Sequence, residues 1–513
     1  MLVTTYGCAL YGLDGIVVSV EVNVTEGIRY YIVGLPDSAV KESLQRVESA
    51  LKISGFQMPR RKVVINLAPA DIKKEGSAYD LPIAIGILAA SGQITPNVPL
   101  DKILIMGELS LDGTLKPIKG SLPIAIHARD AGFSSVILPF ENAKEAAVTN
   151  GINVYGFNHL REVVQFLESG EGSPIKTDLE SLFASAQHEE NIDFADVYGQ
   201  ETVKRALAVA AAGGHNVLMV GPPGAGKTML AKRVTTILPP MTLEEALETT
   251  KIYSVAGLLG GKELIVTRPF RAPHHTISDV ALVGGGVPPQ PGEISLAHNG
   301  VLFLDEMPEF RRAVLEVLRQ PLENRTVTIS RARFTVTFPA NFMLIGAMNP
   351  CPCGYYNHPE KECTCSPGAV KRYLNRLSGP LLDRIDLHIE VVPVPVKELR
   401  SPQTKPTSSA QLREQVLKAR EIQTKRFKDY QGIYSNAQMS PRLIRKFCNL
   451  TDSASRLLEN AIEQLGLSAR AHDRILRVAR TIADMESSNE INATHIAEAI
   501  QYRTLDRKTW GVL

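Results

Sequence analysis

Hydrophobic positions along the first 167 residues fall into two kinds of run. GIVVSVEVNV (15–24) and RYYIVGL (29–35) are rich in β-branched residues and predict strands. Between 40 and 54, Val40, Leu44, Val47 and Leu51 recur at helical spacing. KVVINLAP reads as another strand and DLPIAIGILAASG as a buried helix. ILIMGELSLDG and TLKPI predict a strand pair turning at Asp112-Gly113. Residues 1–167 therefore form an α/β unit of their own. The polar stretch 168–190 reads as a linker with a short helix. A second α/β pattern, with an apolar strand ending in each of NVLMV, GVLFL and FMLIGAM, runs over 191–395. VPVPVKELRSPQTKPTSSAQ is a Pro/Ser/Thr-rich loop. After it only helical patterns remain, over 409–429, 441–447, 452–465, 468–486 and 493–503, so 396–513 is an all-helical unit.

Composition narrows the class. With 513 residues, 44% hydrophobic and 21% charged, the chain has the make-up of an ordinary multidomain globular protein. A formal net charge of +2 leaves any nucleic-acid contact to local patches. MLVTTYGCALYGLDG shows no basic leader followed by an apolar run, and no stretch reaches the length of a membrane helix. The expectation is a cytoplasmic protein with no membrane partner.

Chemistry first appears at GPPGAGKT, residues 221–228, between the strand NVLMV and the helical run MLAKRVTTIL. This is the strand–loop–helix setting of a phosphate-binding loop. The backbone of Gly221, Pro222, Pro223, Gly224, Ala225 and Gly226 would close on phosphate oxygens of ATP. Lys227 would reach the β- and γ-phosphates, and Thr228 would ligate Mg2+. GVLFLDE (300–306) supplies the second part: Asp305 for Mg2+ and Glu306 to polarise the attacking water. FMLIGAMN ends at Asn349, a polar side chain placed to position that water.

Four of the six cysteines lie in NPCPCGYYNHPEKECTCSP, as the pairs Cys351/Cys353 and Cys363/Cys365. In a reducing compartment such a cluster points to metal rather than disulfides. Four thiolates suit a structural, tetrahedral Zn2+, with His358 in reserve, inside an insertion spanning 350–367. Adjacent His274 and His275, with Arg271, sit in a Gly/Pro-rich insertion to which no site is assigned.

Arg384 in LLDRID and Arg470 in SAR complete a set whose order resembles an AAA+ ATPase, and more narrowly the magnesium-chelatase-like clade. RPFRAPHHTISDVALVGGG and NPCPCG are similar to signatures of the ComM/YifB family. The resemblance covers nearly the whole chain. It implies a P-loop AAA+ core, a parallel sheet with flanking helices, over 191–395. It also implies an α/β Lon-protease-like N-terminal domain over 1–167 and a helical C-terminal lid over 396–513. It makes Asn349 the sensor-1 residue and Arg384 an arginine finger acting on the ATP of a neighbouring subunit, in a ring that is a homo-oligomer, a hexamer. Arg470 becomes a sensor-2 residue touching the γ-phosphate. It further implies a hairpin pointing into the ring's pore, and TVTISRARFTVTF supplies one whose Arg331 and Arg333 would meet a DNA backbone.

The Lon resemblance raises peptidase chemistry, which needs a serine activated by lysine. In KKEGSAYDLPIA, Ala78 stands at the nucleophile position with Ser77 one residue early, and Leu122 stands at the lysine position. The catalytic dyad is thus missing. The reading is an ATP hydrolase that remodels single-stranded or branched DNA, as helicase or branch-migration motor in recombination or natural transformation, with recombination proteins as possible partners. The alternatives are a chelatase-like metal-insertion subunit and an ATP-dependent protease or chaperone.

Overall fold

The computed structural model describes residues 1–185, 192–331, 334–356, 358, 360–394, 406–465 and 467–503; of Arg331 it gives the backbone. The chain divides into two compact units. One holds residues 1–186 together with 243–266, and the other holds 187–242 and 267–513.

The first unit is built on a seven-stranded mixed sheet. Its strands run in the order Tyr30–Val33, Lys62–Ala68, Asp14–Thr25, Leu2–Tyr11, Ile103–Ile105, Ser135–Pro139 and Asn153–Phe157. Alternation along Asp14–Thr25 buries Val18, Val20 and Val22 completely, which is what a period of two does to a half-covered sheet. The helix Asp80–Ala90 is apolar all round and buried at every position, as a helix enclosed on all sides must be. The expected hairpin forms, Glu108–Leu109 against Leu115–Lys116, and the polar stretch after 168 contains the short helix Leu179–Ser185.

One expectation needs correction. Residues 243–266, counted above as ATPase core, belong to the first unit. There Leu243–Ala256 is a helix, and the Ser254 carbonyl accepts from the Gly120 N–H at the start of the helix Ser121–Asp130. An amphipathic pattern fixes that a helix buries a face, but not which core receives it.

The second unit has a five-stranded, all-parallel sheet in the order Phe270–Arg271, Val301–Leu304, Met343–Met348, Val217–Val220 and Leu387–Glu390. Its central strands are wholly apolar and buried, because both faces of a parallel sheet are covered. Helices Ser409–Phe427, Pro441–Phe447, Asp452–Leu465, Ala469–Met485 and Ala493–Gln501 complete the unit, close to the expected spans. Immediately before the strand Met343–Met348, Thr326–Arg331 pairs antiparallel with Phe334–Pro339. The tip at 332–333, and so Arg333, lies outside the described residues, as does the Arg331 side chain.

Candidate nucleotide site and its arginine cavity

In parallel strands the carboxyl ends lie on one edge, and three of those ends meet here. Val220 is registered with Met348, and Leu304 with Gly346. The residues that follow them, Gly221, Asn349 and Asp305, are therefore neighbours. The loop 221–226 turns through left-handed backbone at Gly224 (φ +80°) and Gly226 (φ +83°), which a side chain would oppose. It delivers Lys227 to the start of the helix Lys227–Arg233. Lys227 Nζ donates to the Gly221 carbonyl at 2.6 Å, the Pro222 carbonyl at 2.9 Å and Asn349 Oδ1 at 3.1 Å. Burial lowers its pKa from the usual lysine value, while Asp305 and Glu306 pull it back up.

Thr228 Oγ1 donates to Asp305 Oδ2 at 2.6 Å, and Asp305 Oδ1 accepts from the Glu306 N–H at 2.9 Å. A hydroxyl and a carboxylate thus share one point in space, the pairing that a hard cation bridging two phosphates requires. Glu306 is in left-handed backbone at φ +49°. This bends its exposed carboxylate away from the strand line, to 3.8 Å from His275 Nδ1. Strained backbone of this kind persists where the surroundings impose it, and functional sites are the usual place. In the same insertion Arg271 grips Glu293 through two contacts of 2.6 Å. Sequence reading missed Gln200, whose amide donates to the Ala225 carbonyl at 3.2 Å and the Val392 carbonyl at 2.8 Å, fastening the phosphate loop to the chain beyond the last strand.

The cysteines converge. Cys351 Sγ lies 3.3 Å from Cys353 Sγ and 3.7 Å from Cys363 Sγ, with Cys353 and Cys363 3.6 Å apart. All four sulfurs fall within 4.8 Å of one another. A tetrahedron with Zn–S bonds of about 2.3 Å has edges of about 3.8 Å, so the donor set matches zinc in kind and in spacing. Burial opposes ionisation of Cys353, but the Tyr355 N–H and neighbouring donors bring it down to about 6. At Cys363 the Cys365 N–H favours the thiolate, yet burial and the other sulfurs push it up to about 12. The cluster touches the phosphate loop: a Cβ on Gly354 would come within 2.6 Å of Pro223 Cδ.

Arg384 and Arg470 are brought together, but not at the phosphate loop. Both line a cavity of about 440 Å³ at the amino-terminal edge of the sheet, beside Asn216, Phe342 and Asp386, which precede the strands at 217, 343 and 387. At 3.3 Å per residue, Asn216 is roughly 16 Å from Gly221, beyond the reach of an arginine side chain. Arg384 pairs with Glu323 at 2.5 Å rather than with either flanking aspartate, Arg470 with Asp383 at 3.2 Å, and Arg474 with Asp386 at 2.7 Å. Burial raises the Asp386 carboxyl, but Arg474, His215 and Arg477 outweigh it and hold it well below the usual carboxylate range. Arg480, in the same helix, is buried, bonded to Asp484 and to the carbonyls of Ser488 and Asn489. Ten residues on from Arg470, it has rotated into the core.

In the first unit Leu122 is fully buried, and its N–H donates to Glu145 at 3.0 Å. Ser77 donates to Glu108.

Parallel sheet, phosphate loop, paired magnesium oxygens and a strand-end asparagine define a P-loop ATPase of the AAA+ class. Three family descriptions match the chain: "Magnesium chelatase, subunit ChlI" over 193–399, "Subunit ChlI of Mg-chelatase" over 20–142 and "Magnesium chelatase, subunit ChlI C-terminal" over 406–503. Competence protein ComM of Haemophilus influenzae is 46% identical over 508 residues, covering 99% of this chain and 98% of that one. YifB of Salmonella typhimurium is 45% identical over 502 residues, 97% and 96% of the two chains. Lon protease 2 of Bacillus subtilis is 31% identical over 129 residues, 25% of this chain and 22% of its own. The chain belongs to the ComM/YifB family of magnesium-chelatase-like AAA+ ATPases. That family implies ATP and Mg2+, and the residues at the strand ends fit both. Among the described residues no helix is long and apolar enough to cross a membrane.

Proposed function

We infer that this chain is a ring-forming motor, a hexamer, that couples ATP hydrolysis to remodelling of single-stranded or branched DNA, as in branch migration during recombination or natural transformation. The observation that carries the reading is the separation of the two halves of the nucleotide site. Lys227, Thr228, Asp305, Glu306 and Asn349 gather at one edge of the sheet, while Arg384 and Arg470 gather at the other. Arginines that cannot reach their own phosphate loop serve the loop of a neighbour, and a head-to-tail contact of that kind closes into a ring. Support for the DNA reading comes from the hairpin Thr326–Pro339, whose tip sequence carries Arg331 and Arg333, and from the relative named as a competence protein.

Mg2+ held by Thr228 and Asp305 would neutralise phosphate charge. Lys227 binds the β- and γ-phosphates, Glu306 takes the proton of the attacking water, and Asn349 orients that water. Arg384 and Arg470 of the adjacent subunit meet the charge that builds on the γ-phosphate. Cys351, Cys353, Cys363 and Cys365 would hold a structural zinc, which would keep Gly354 packed on Pro223. The Lon-like unit, without its dyad, serves as scaffold or binding surface. The test is ATP turnover with and without single-stranded and junction DNA, followed by branch migration of a synthetic junction. DNA should stimulate turnover, and ATP should drive migration. DNA that neither binds nor stimulates at low salt removes the motor reading.

A further inference from the structure

The cavity that holds Arg384 and Arg470 contains five arginines, namely Arg325, Arg384, Arg470, Arg474 and Arg477, and four carboxylates, Glu323, Asp383, Asp386 and Asp473. Three arginines are spoken for: Arg384 by Glu323, Arg470 by Asp383 and Arg474 by Asp386. Asp473 lies beside His472 at 3.1 Å. Neither Arg325 nor Arg477 has a side-chain hydrogen bond or ion pair among the described residues, and the Nε of Arg477 is buried without a partner. Two half-buried guanidiniums facing the same open volume without a direct ion-pair partner carry a desolvation cost that a bound anion relieves. Burial, then the charge of Arg477, brings Arg325 down to about 10, so it is still cationic at neutral pH.

The position of Arg325 in the chain is as informative as its charge. It ends the helix Arg319–Asn324 in left-handed backbone at φ +57°, where glycine is the usual occupant. Its carbonyl accepts from the Ala340 N–H at 2.8 Å and so closes the base of the hairpin Thr326–Pro339. One residue therefore faces the arginine cavity and forms the root of the hairpin.

We propose that Arg325 is a further phosphate-contacting residue, directed with Arg384 and Arg470 at the γ-phosphate bound by the neighbouring subunit, and that it joins the state of that phosphate to the hairpin. This rests on the shared-site reading given above. Arg477 lines the same cavity as a second guanidinium without a direct ion-pair partner.

The test uses full-length chains. Arg325→Gly removes the guanidinium and suits the left-handed backbone, so the fold is not strained. Alone, it should lose about a hundredfold in ATP turnover, the low side of what removing one charge-stabilising donor costs. Glu306→Gln chains bind ATP, turn it over slowly and keep all their arginines. Mixed one to one with Arg325→Gly, they should restore turnover to about a quarter of wild type, the chance that an active ATP site faces an intact arginine set in a head-to-tail ring. A merely structural defect in Arg325→Gly would not be rescued by mixing. Arg384→Ala mixed with Glu306→Gln is the control. If that mixture recovers and the Arg325→Gly mixture does not, Arg325 acts within its own subunit and the proposal falls while the ring reading stands. If neither recovers, the shared site itself falls and takes Arg325 with it. Full turnover by Arg325→Gly alone also overturns the proposal.

Discussion

Replacing Asp386 by asparagine tests whether the arginine cavity is held in place by charge. The carboxylate is buried, accepts the Asn216 N–H at 3.0 Å and Arg474 Nη1 at 2.7 Å, and lies 3.6 Å from His215 Nδ1. Asparagine keeps the volume and one acceptor but removes the charge. Arg474, whose side chain is 15% exposed, is then left facing Arg325 and Arg477 without its ion-pair partner. Removing one member of a buried pair costs 3–5 kcal/mol, and the partial exposure of Arg474 argues for about 3. For a unit of this size that corresponds to a Tm roughly 5 °C lower by scanning calorimetry. The double variant Asp386→Asn, Arg474→Met should regain at least half of the loss, since a buried ion pair exchanged for apolar side chains is often neutral. The sign of the pH dependence follows from the depressed carboxyl. Its contribution is complete above the unfolded value near 4 and fades as pH falls through the lower folded value. The gap between wild type and variant should therefore narrow from about pH 4 downward. A variant that melts with wild type at pH 7, or a gap that widens in acid, refutes the reasoning.

Three further outcomes follow from the same geometry. Elemental analysis should find about one zinc per chain, and Cys351→Ser with Cys363→Ser should abolish it; a folded native chain free of metal contradicts the site. Lys227→Ala should lose nucleotide binding, whereas Glu306→Gln should bind ATP normally and hydrolyse it at least about a hundredfold more slowly, as read by equilibrium binding and phosphate release. The first unit should leave fluorescent casein uncut. Leu122→Lys should lower thermal stability by several kcal/mol without creating peptidase activity, because a charged amine would replace a fully buried apolar side chain.

What the sequence revealed and what it hid separate along one physical line. The phosphate loop was legible because eight consecutive residues between a strand and a helix carry the whole requirement. Asp305, Glu306 and Asn349 were legible because apolar runs mark buried parallel strands, and function collects at their carboxyl ends. The cysteine pairs announced themselves through spacing, and their sulfurs do meet. The arginine cavity is assembled from segments near 216, 325, 342, 386, 439 and 474, and no local pattern joins these. Arg384 and Arg470 were found by their flanking motifs, whereas Arg325 had no motif and sat in what read as the lead-in to a hairpin. The helix Leu243–Ala256 was assigned to the wrong core because its periodicity is silent about its partner.

The return of residues 243–266 into the first unit bears on how this architecture is inherited. A gene fragment ending near residue 186 would encode a sheet whose helix Ser121–Asp130 lacks the carbonyl that caps Gly120 and the Glu263 carboxylate that lies 3.8 Å from Lys144. Neither half can be cut out by a single break and moved elsewhere intact.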